Sequence, residues 1–494
     1  MTEYITFDTD DVNMKEGNLT TVRNSIDNSL SGEEAMVSVC VRIWRDSRLE
    51  KLKRCIDSVL KYGQDVKFKL VLMNNGGSQA ITDYFESIKY NDKMIIKITK
   101  NISAPHGGGI LQRFVKTKYM VELFNDNIVT PNWLTNMLFC LESDPQIGIA
   151  FPMCTNTSCE QEPPFGDRTV EELIQLAKTY NCSDSSKWEE RICCIPQGAV
   201  FRRAAFDLAG IYDKGYMHEY GDDDLSLRIR RAGYKLILCK DTVIIHDHDY
   251  SLEPATKYKV SQGEDGFKKK FYGLEPHLDF LNWVFPWIEK VEIKQQELYK
   301  ILGIEVRAGT PILDIKNKAY MAGNKKFQCE SFSTNAKYYE DLSSLCSRVC
   351  TDSDELRLSF LFKGNYDFIV IGKDINSFAC PFDVLDFALN HVVDGYVLFS
   401  LKNMQDICAL VHCLGGRNPA KIKGYQYITL EEVQDFLKVY PVKHIEIMRE
   451  KARSFKEDVE YLCKQKVFKN LCQGDFESVK QQLSTFRYWI LVQT

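Results

Sequence analysis

The stretch that decides the fold class runs from Val37-Ser38-Val39-Cys40-Val41 to Asn74-Asn75-Gly76-Gly77-Ser78. Its first segment is a short β-branched run of the kind buried on both faces of a parallel sheet. Leu49, Leu52, Cys55, Ile56, Val59 and Leu60 then recur at helical spacing. Phe68-Lys69-Leu70-Val71-Leu72-Met73 reads as a second strand, ending in a glycine turn. Strand, helix, strand and turn in that order open a βαβ sheet, so an α/β class is expected.

Outward from there the alternation continues. Met94–Ile98, Tyr119–Phe124, Ile147–Phe151 and Lys235–Cys239 read as strands, with helices at Trp133–Leu141 and Asp224–Ala232, the latter stopped by Gly233. Residues 1–36 are polar and acidic and read as a loosely ordered lead-in with one short strand at Tyr4–Phe7. The pattern turns charged and helical at 266–305, through Lys268-Lys269-Lys270 and Ile288–Leu302, and reads as a connector. A second βα pattern occupies 306–450, with strands at Ile312–Ile315, Phe368–Ile371 and Tyr396–Ser400. Amphipathic helices are expected over 451–494.

Composition narrows the function. The 494 residues carry 63 Lys+Arg against 68 Asp+Glu, a formal net charge of -5, which argues against a protein that coats nucleic acid. No run of apolar residues is long enough to span a bilayer, so no membrane span is expected, and peripheral association is left open. Met1-Thr2-Glu3-Tyr4 has neither the basic region nor the apolar core of an export signal. The 17 cysteines are scattered and form no C-x-x-C pair, so reduced thiols and a cytoplasmic setting are expected.

In open parallel sheets ligands gather beyond the carboxyl ends of the strands. Four polar clusters fall there: Asn74–Ser78, Asn125-Asp126-Asn127, Glu219-Tyr220-Gly221-Asp222-Asp223-Asp224, and His246-Asp247-His248-Asp249-Tyr250-Ser251. Three of them have a plain structural alternative. Asp222–Asp224 could be acidic first-turn residues of a helix, Asp126 a turn or cap, and His246 a satisfied core histidine. Taken together, an Asp, a second acidic cluster and a His suit a hard divalent ion, Mn²⁺ or Mg²⁺, carrying a diphosphate.

Residues 37–251 resemble a family 2 glycosyltransferase with the GT-A nucleotide-sugar fold. Val37-Ser38-Val39-Cys40-Val41-Arg42 is similar to that family's lead strand, with Arg42 where proline is usual. Asn74-Asn75-Gly76-Gly77 resembles its D-N-G-S turn, with Asn74 at the aspartate that touches the nucleobase. Phe124 through Leu134 resembles the segment holding the D-x-D motif; Asp126 falls on its last, metal-binding position and Phe124 on its first. Tyr220 through Tyr234 resembles the E-D-x-D-L-S-x-R stretch, with Asp222 on the catalytic base, Gly221 in place of the preceding acid, and Asp223 an alternative base. His246 matches the histidine that completes the metal and diphosphate site.

That resemblance implies an inverting, metal-dependent transfer of a sugar from a nucleoside-diphosphate sugar to an acceptor hydroxyl, in bacterial glycan or protein glycosylation. Asp222 or Asp223 would be catalytic, Asn74, Asn75, Gly76, Asn125 and Asp126 would bind the donor, and Asp126 and His246 the metal. His106-Gly107-Gly108-Gly109 reads as a flexible loop near the donor or a plain surface turn.

Residues from about 306 to 450 resemble a class I S-adenosylmethionine methyltransferase domain in Tyr366–Gly372, Pro381–Leu385 and Asp394–Ser400. Ile312–Ile315, read as its first strand, is followed by Lys316-Asn317-Lys318-Ala319-Tyr320, without the glycine loop that cofactor binding needs. A degenerate, non-catalytic domain for acceptor docking or self-association is expected, with oligomeric state open. Phe271, Trp283, Phe285 and Trp287 could be an acceptor platform or core packing. The rival from another class is a non-catalytic scaffold built from two decayed enzyme domains.

Overall fold

The computed structural model describes residues 16–30, 35–43, 48–217, 219–247, 257–280, 285–416, 424–451, 456–465 and 475–494. The expected strand at Tyr4–Phe7, Trp283, and His248 through Ser251 lie outside these residues. The chain divides into two compact units, 1–283 and 284–494. Both are α/β, each built on its own sheet.

The first unit runs α1 (Glu16–Ser29), β1 (Val37–Ile43), α2 (Leu49–Tyr62), β2 (Phe68–Asn75), α3 (Gln79–Ser87), β3 (Lys93–Ile98), α4 (Ala104–Phe114), β4 (Tyr119–Phe124), β5 (Asn127–Ile128), α5 (Trp133–Ser143), β6 (Ile147–Cys154), α6 (Val170–Tyr180), β7 (Trp188–Arg191), β8 (Val200–Arg202), α7 (Arg203–Ala209), α8 (Gly221–Arg231), β9 (Lys235–His246), α9 (Lys257–Lys270) and α10 (Pro276–Asp279). Its sheet has the order β3-β2-β1-β4-β8-β6-β9-β5, with β7 also on β9. β1 is parallel to both β2 and β4, so the strand order reverses between β1 and β4. Alternate residues feed the two faces: Val39, Val41, Leu70, Leu72 and Val121 pack into one core, and Cys40, Val71, Met73 and Met120 into the other. That two-sided burial is why the strands read as continuous apolar runs.

Two expectations fail here. The lead-in contains α1, an ordered helix: Arg23 donates to the Ala232 carbonyl at 3.0 Å, and Asp27 takes an ion pair from buried Arg202 at 2.6 Å. Polar composition concealed it because its partners, a backbone carbonyl and a buried guanidinium, lie far along the chain. His106–Gly109 is not a loop but part of α4, started by Pro105 and by the Ser103 hydroxyl accepting from His106 N. A side-chain carbon on Gly108 would meet the Tyr212 ring at 2.8 Å, so the bare helix face is what lets α4 lie against the sheet's end.

The second unit runs β10 (Tyr299–Ile304), α11 (Thr310–Met321), β11 (Phe327–Ser333), α12 (Tyr339–Ser343), β12 (Arg348–Thr351), α13 (Leu358–Leu361), β13 (Tyr366–Asp374), α14 (Pro381–His391), β14 (Val392–Lys402), α15 (Ile407–Leu414), α16 (Leu430–Leu437), β15 (His444–Lys451), α17 (Lys456–Lys464), α18 (Phe476–Ser484) and β16 (Thr485–Gln493). Its sheet has the order β12-β11-β10-β13-β14-β16-β15. β16 runs antiparallel to both of its neighbours, β14 and β15.

Three expectations are corrected in this unit. Ile312–Ile315 is helix, not strand: Pro311 sits in the first turn of α11, and Ile312, Leu313, Ile315 and Ala319 are buried at helical spacing. The first strand is β10, inside the stretch read as a helical connector. It is followed by Glu305-Val306-Arg307-Ala308-Gly309, so a glycine does follow the first strand, with φ +110°. The tail is likewise not wholly helical, since β16 lies inside the sheet between β14 and β15. Phe285 and Trp287 stack at 5.1 Å and meet Trp489 edge-on, which makes them core packing.

Candidate active site

The carboxyl ends of β1 and β4 flank the point where the first sheet's strand order reverses, the usual ligand crevice of an open α/β sheet. Asp126 follows β4 and is buried. Its neighbour Asn127 pairs with His246 across the β5–β9 ladder, and this pairing brings the two expected metal ligands together. Asp126 Oδ1 lies 3.7 Å from His246 Nε2. The other ring nitrogen, Nδ1, is 3.1 Å from the Asn156 carbonyl. A carbonyl only accepts, so Nδ1 donates to it, and Nε2 is the ring nitrogen that faces Asp126.

A carboxylate and an oriented imidazole fit a Mn²⁺ or Mg²⁺ ion that takes its remaining ligands from water and phosphate. Among the described residues no group of three or more His, Cys, Asp or Glu could hold a metal. Phe124, at the position of a second acid, instead lies under the Arg42 guanidinium at 4.6 Å.

The asparagine–glycine turn is placed at this rim but faces inward. Asn74 accepts from Gly77 N at 2.7 Å and donates to the Ser78 carbonyl and the Thr82 hydroxyl. Asn75 donates to the Ser103 carbonyl at 3.0 Å and accepts from Ile102 N. Gly76 has φ +89°, and a side chain there would strike the backbone of Asn101 at 2.2 Å. The turn thus clasps the loop that starts α4. Asn125 is buried, and its amide nitrogen makes no hydrogen bond.

The acidic run begins α8, where carboxylates meet the positive end of the helix. Its three members have different surroundings. Asp224 is fully buried and held by Arg228 at 2.6 Å and Lys270 at 2.5 Å, a structural ion cluster. Asp223 accepts from the Cys193 thiol at 3.1 Å. Asp222 lines a small void with Phe151, Cys194 and Tyr212 and is held by backbone N–H groups of the helix start. Burial pushes both Asp222 and Asp223 up; Glu219 adds to the rise at Asp222, and the Asp222 charge adds to it at Asp223. Gly221 holds no acid because a side chain there would meet the Pro105 ring at 2.7 Å.

Sequence reasoning missed the groups beneath the rim. Arg42 and Glu122 form a buried ion pair of 2.7 Å, and Tyr212 donates to Glu122 at 2.8 Å. The available signal was a single acid inside the apolar strand Tyr119–Phe124, since a charge there requires a buried partner. The loop after β6 joins the halves of the site: Asn156 holds His246, and the Asp223 and Asp222 charges raise the Cys159 thiol, after the larger effect of its own burial.

A concavity of about 350 Å³ lies in the second unit between Phe360, Asp383, Phe387 and His391. Two carboxylates lining it, Glu355 and Asp386, are already engaged by Cys380 N and the Tyr440 hydroxyl. In the second sheet's own crevice, Asp374 at the end of β13 accepts from Arg487, Ser400 and Tyr425. Glu305 at the end of β10 accepts from Thr334 N and the Ser333 hydroxyl.

No protein-family model matches the chain, and no curated protein matches it in sequence. Among solved structures it is similar to GalNAc-T7 with UDP, GalNAc and Mn²⁺, at 16% identity and a TM-score of 0.38 over 49% of this chain and 50% of that one. It is also similar to the mannosyltransferase PcManGT from Pyrobaculum calidifontis in complex with GDP-Man and Mn²⁺, at 13% identity and a TM-score of 0.37 over 66% of this chain and 82% of that one. The chain spans about half the length of the first of these. Likeness at that level carries no argument about this chain's chemistry.

Proposed function

We propose that the first unit is a GT-A-type, family 2-like glycosyltransferase that moves a sugar, with inversion, from a nucleoside-diphosphate sugar to an acceptor hydroxyl of a glycan or protein. What supports this reading is the 3.7 Å contact of Asp126 with His246 beside the strand-order reversal, together with the raised Asp222–Asp223 pair at the start of α8. Asp222 is the base. Asp224 is neutralised by two cations and Asp223 is bonded to a thiol, so Asp222 is the member without a side-chain claim of this kind. Its carboxylate takes the acceptor proton as the acceptor oxygen bonds to the anomeric carbon and the bond from that carbon to the diphosphate breaks. Asp126 and His246 would hold a divalent ion, which supplies charge neutralisation for the departing diphosphate. Asn74, Asn75 and Gly76 shape the donor pocket through the α4 loop rather than by offering free polar groups.

The second unit is proposed as a degenerate methyltransferase-like domain used for docking or assembly. The glycine after β10 removes the original reason for that reading. What supports it now is that Glu305 and Asp374, the acids at the two central strand ends, are engaged by neighbouring protein groups. S-adenosylmethionine titrated into the protein should give no binding signal; measurable affinity would restore a bifunctional enzyme.

The test of the transferase is nucleoside-diphosphate release from a panel of nucleotide sugars, with Mn²⁺ or EDTA, in wild type and Asp222→Asn. Metal-dependent release from one donor, lost in the variant, is expected. A folded protein that neither binds nor hydrolyses any donor would favour the scaffold.

A further inference from the structure

The first turns of α2 carry three cations towards the site: Arg48 at its start, then Lys51 and Arg54. Lys51 and Arg54 both contact Asp247, just beyond β9. Arg48 is placed differently. It is 7% exposed, and its Nη1 lies 3.8 Å from Asp126 Oδ2. That distance allows Coulomb attraction but no hydrogen bond. Nη1 makes no hydrogen bond at all, and the Asn125 amide nitrogen at the same strand end makes none either. Two buried donors without acceptors, beside the switch point of an α/β sheet, mark a place for an anion. Phe124, two residues before Asp126, supplies no carboxylate that would compete for these donors.

We propose that Arg48 is a diphosphate-binding residue of this chain, whose guanidinium, with the amide of Asn125 next to Asp126 in sequence, takes the phosphate oxygens of the donor. This rests on the donor-site reading above. An Arg fork suits phosphate because two N–H groups can meet two oxygens, which a lysine ammonium cannot reproduce. The arrangement makes part of the diphosphate affinity independent of metal, because the guanidinium would meet the phosphate oxygens directly.

The test is calorimetric titration of UDP and GDP into the full chain as wild type, Arg48→Gln and Arg48→Lys, with Mn²⁺ and with EDTA. Ligand-observed NMR of uridine and guanosine serves as the phosphate-free control, and thermal unfolding as the check on folding. Arg48→Gln should weaken the bound diphosphate roughly ten- to a hundredfold in both conditions, and Arg48→Lys by less, with nucleoside binding unchanged. Equal diphosphate affinity in wild type and Arg48→Gln would overturn the proposal and leave the donor site standing. So would a loss that falls equally on nucleoside and diphosphate, which means a structural role, or one that appears only with Mn²⁺, which means positioning of Asp126. A folded wild type that binds neither diphosphate would overturn the donor site and Arg48 together.

Discussion

Glu122 is fully buried in the middle of β4, and Arg42 and Tyr212 are what make its charge tolerable there. Glu122→Gln should therefore destabilise the first unit by about 3–5 kcal/mol, because it leaves the Arg42 guanidinium buried without its counter-charge. Urea unfolding followed by tryptophan fluorescence reads this as a lower midpoint at unchanged slope. The Asp222–Asp223 pair makes a second prediction, in pH. Both carboxyls are raised by burial, so the folded protein holds protons there that the unfolded chain has released. With more protons bound in the native state, stability falls as pH rises from about 4, the unfolded Asp value, through the raised range. Transfer runs the opposite way, because a base must be deprotonated: its rate should climb over the range in which stability declines. A rate that is flat between pH 5 and 9 would remove this pair from the chemistry. Asp222→Asn should lower turnover by about 10²–10⁴-fold while leaving nucleoside-diphosphate affinity within a few-fold of wild type.

Among the elements, the short turn Asn74–Ser78 and the helix α4 act as one device. Gly76→Val would need a β-branched side chain at φ +89° in space held by the Asn101 backbone. It should cost more than about 1 kcal/mol and detach the α4 loop from Asn75. Hydrogen exchange would report this as faster exchange at residues 101–107, with β1 and β4 unaffected. At the other end of the chain, β16 is an interior strand with Tyr488, Ile490 and Val492 in the core of its unit. Deleting 485–494 should leave the second unit without cooperative unfolding.

For the whole molecule, each unit has its own apolar core: Val39, Leu72 and Trp133 belong to one, Ile369, Phe399 and Ile490 to another. The chain should unfold in separable steps, and residues 1–283 expressed alone should keep nucleoside-diphosphate binding. A single coincident transition by calorimetry and fluorescence would show that the units depend on each other for stability.

The α/β class of both units is legible in the amino-acid order alone. Strands such as Val37–Ile43 and Phe68–Asn75 are buried on both faces, so they must be apolar throughout, and that is visible without coordinates. The amino-acid order also put forward the acids and the histidine of the candidate site, because ligands gather beyond the carboxyl ends of strands in such sheets. Tertiary structure decided what local pattern could not. Ile312–Ile315 is apolar enough for strand or helix, and only its place after the Gly309 turn makes it helix. The glycines of α4 would be loop on propensity alone; packing against Tyr212 overrides that. Which of three adjacent aspartates stays available, and that Arg48 lies against Asp126, depends on Lys270, Cys193 and the β5–β9 ladder. These partners are brought together by folding from remote parts of the chain, so no local window of sequence contains them.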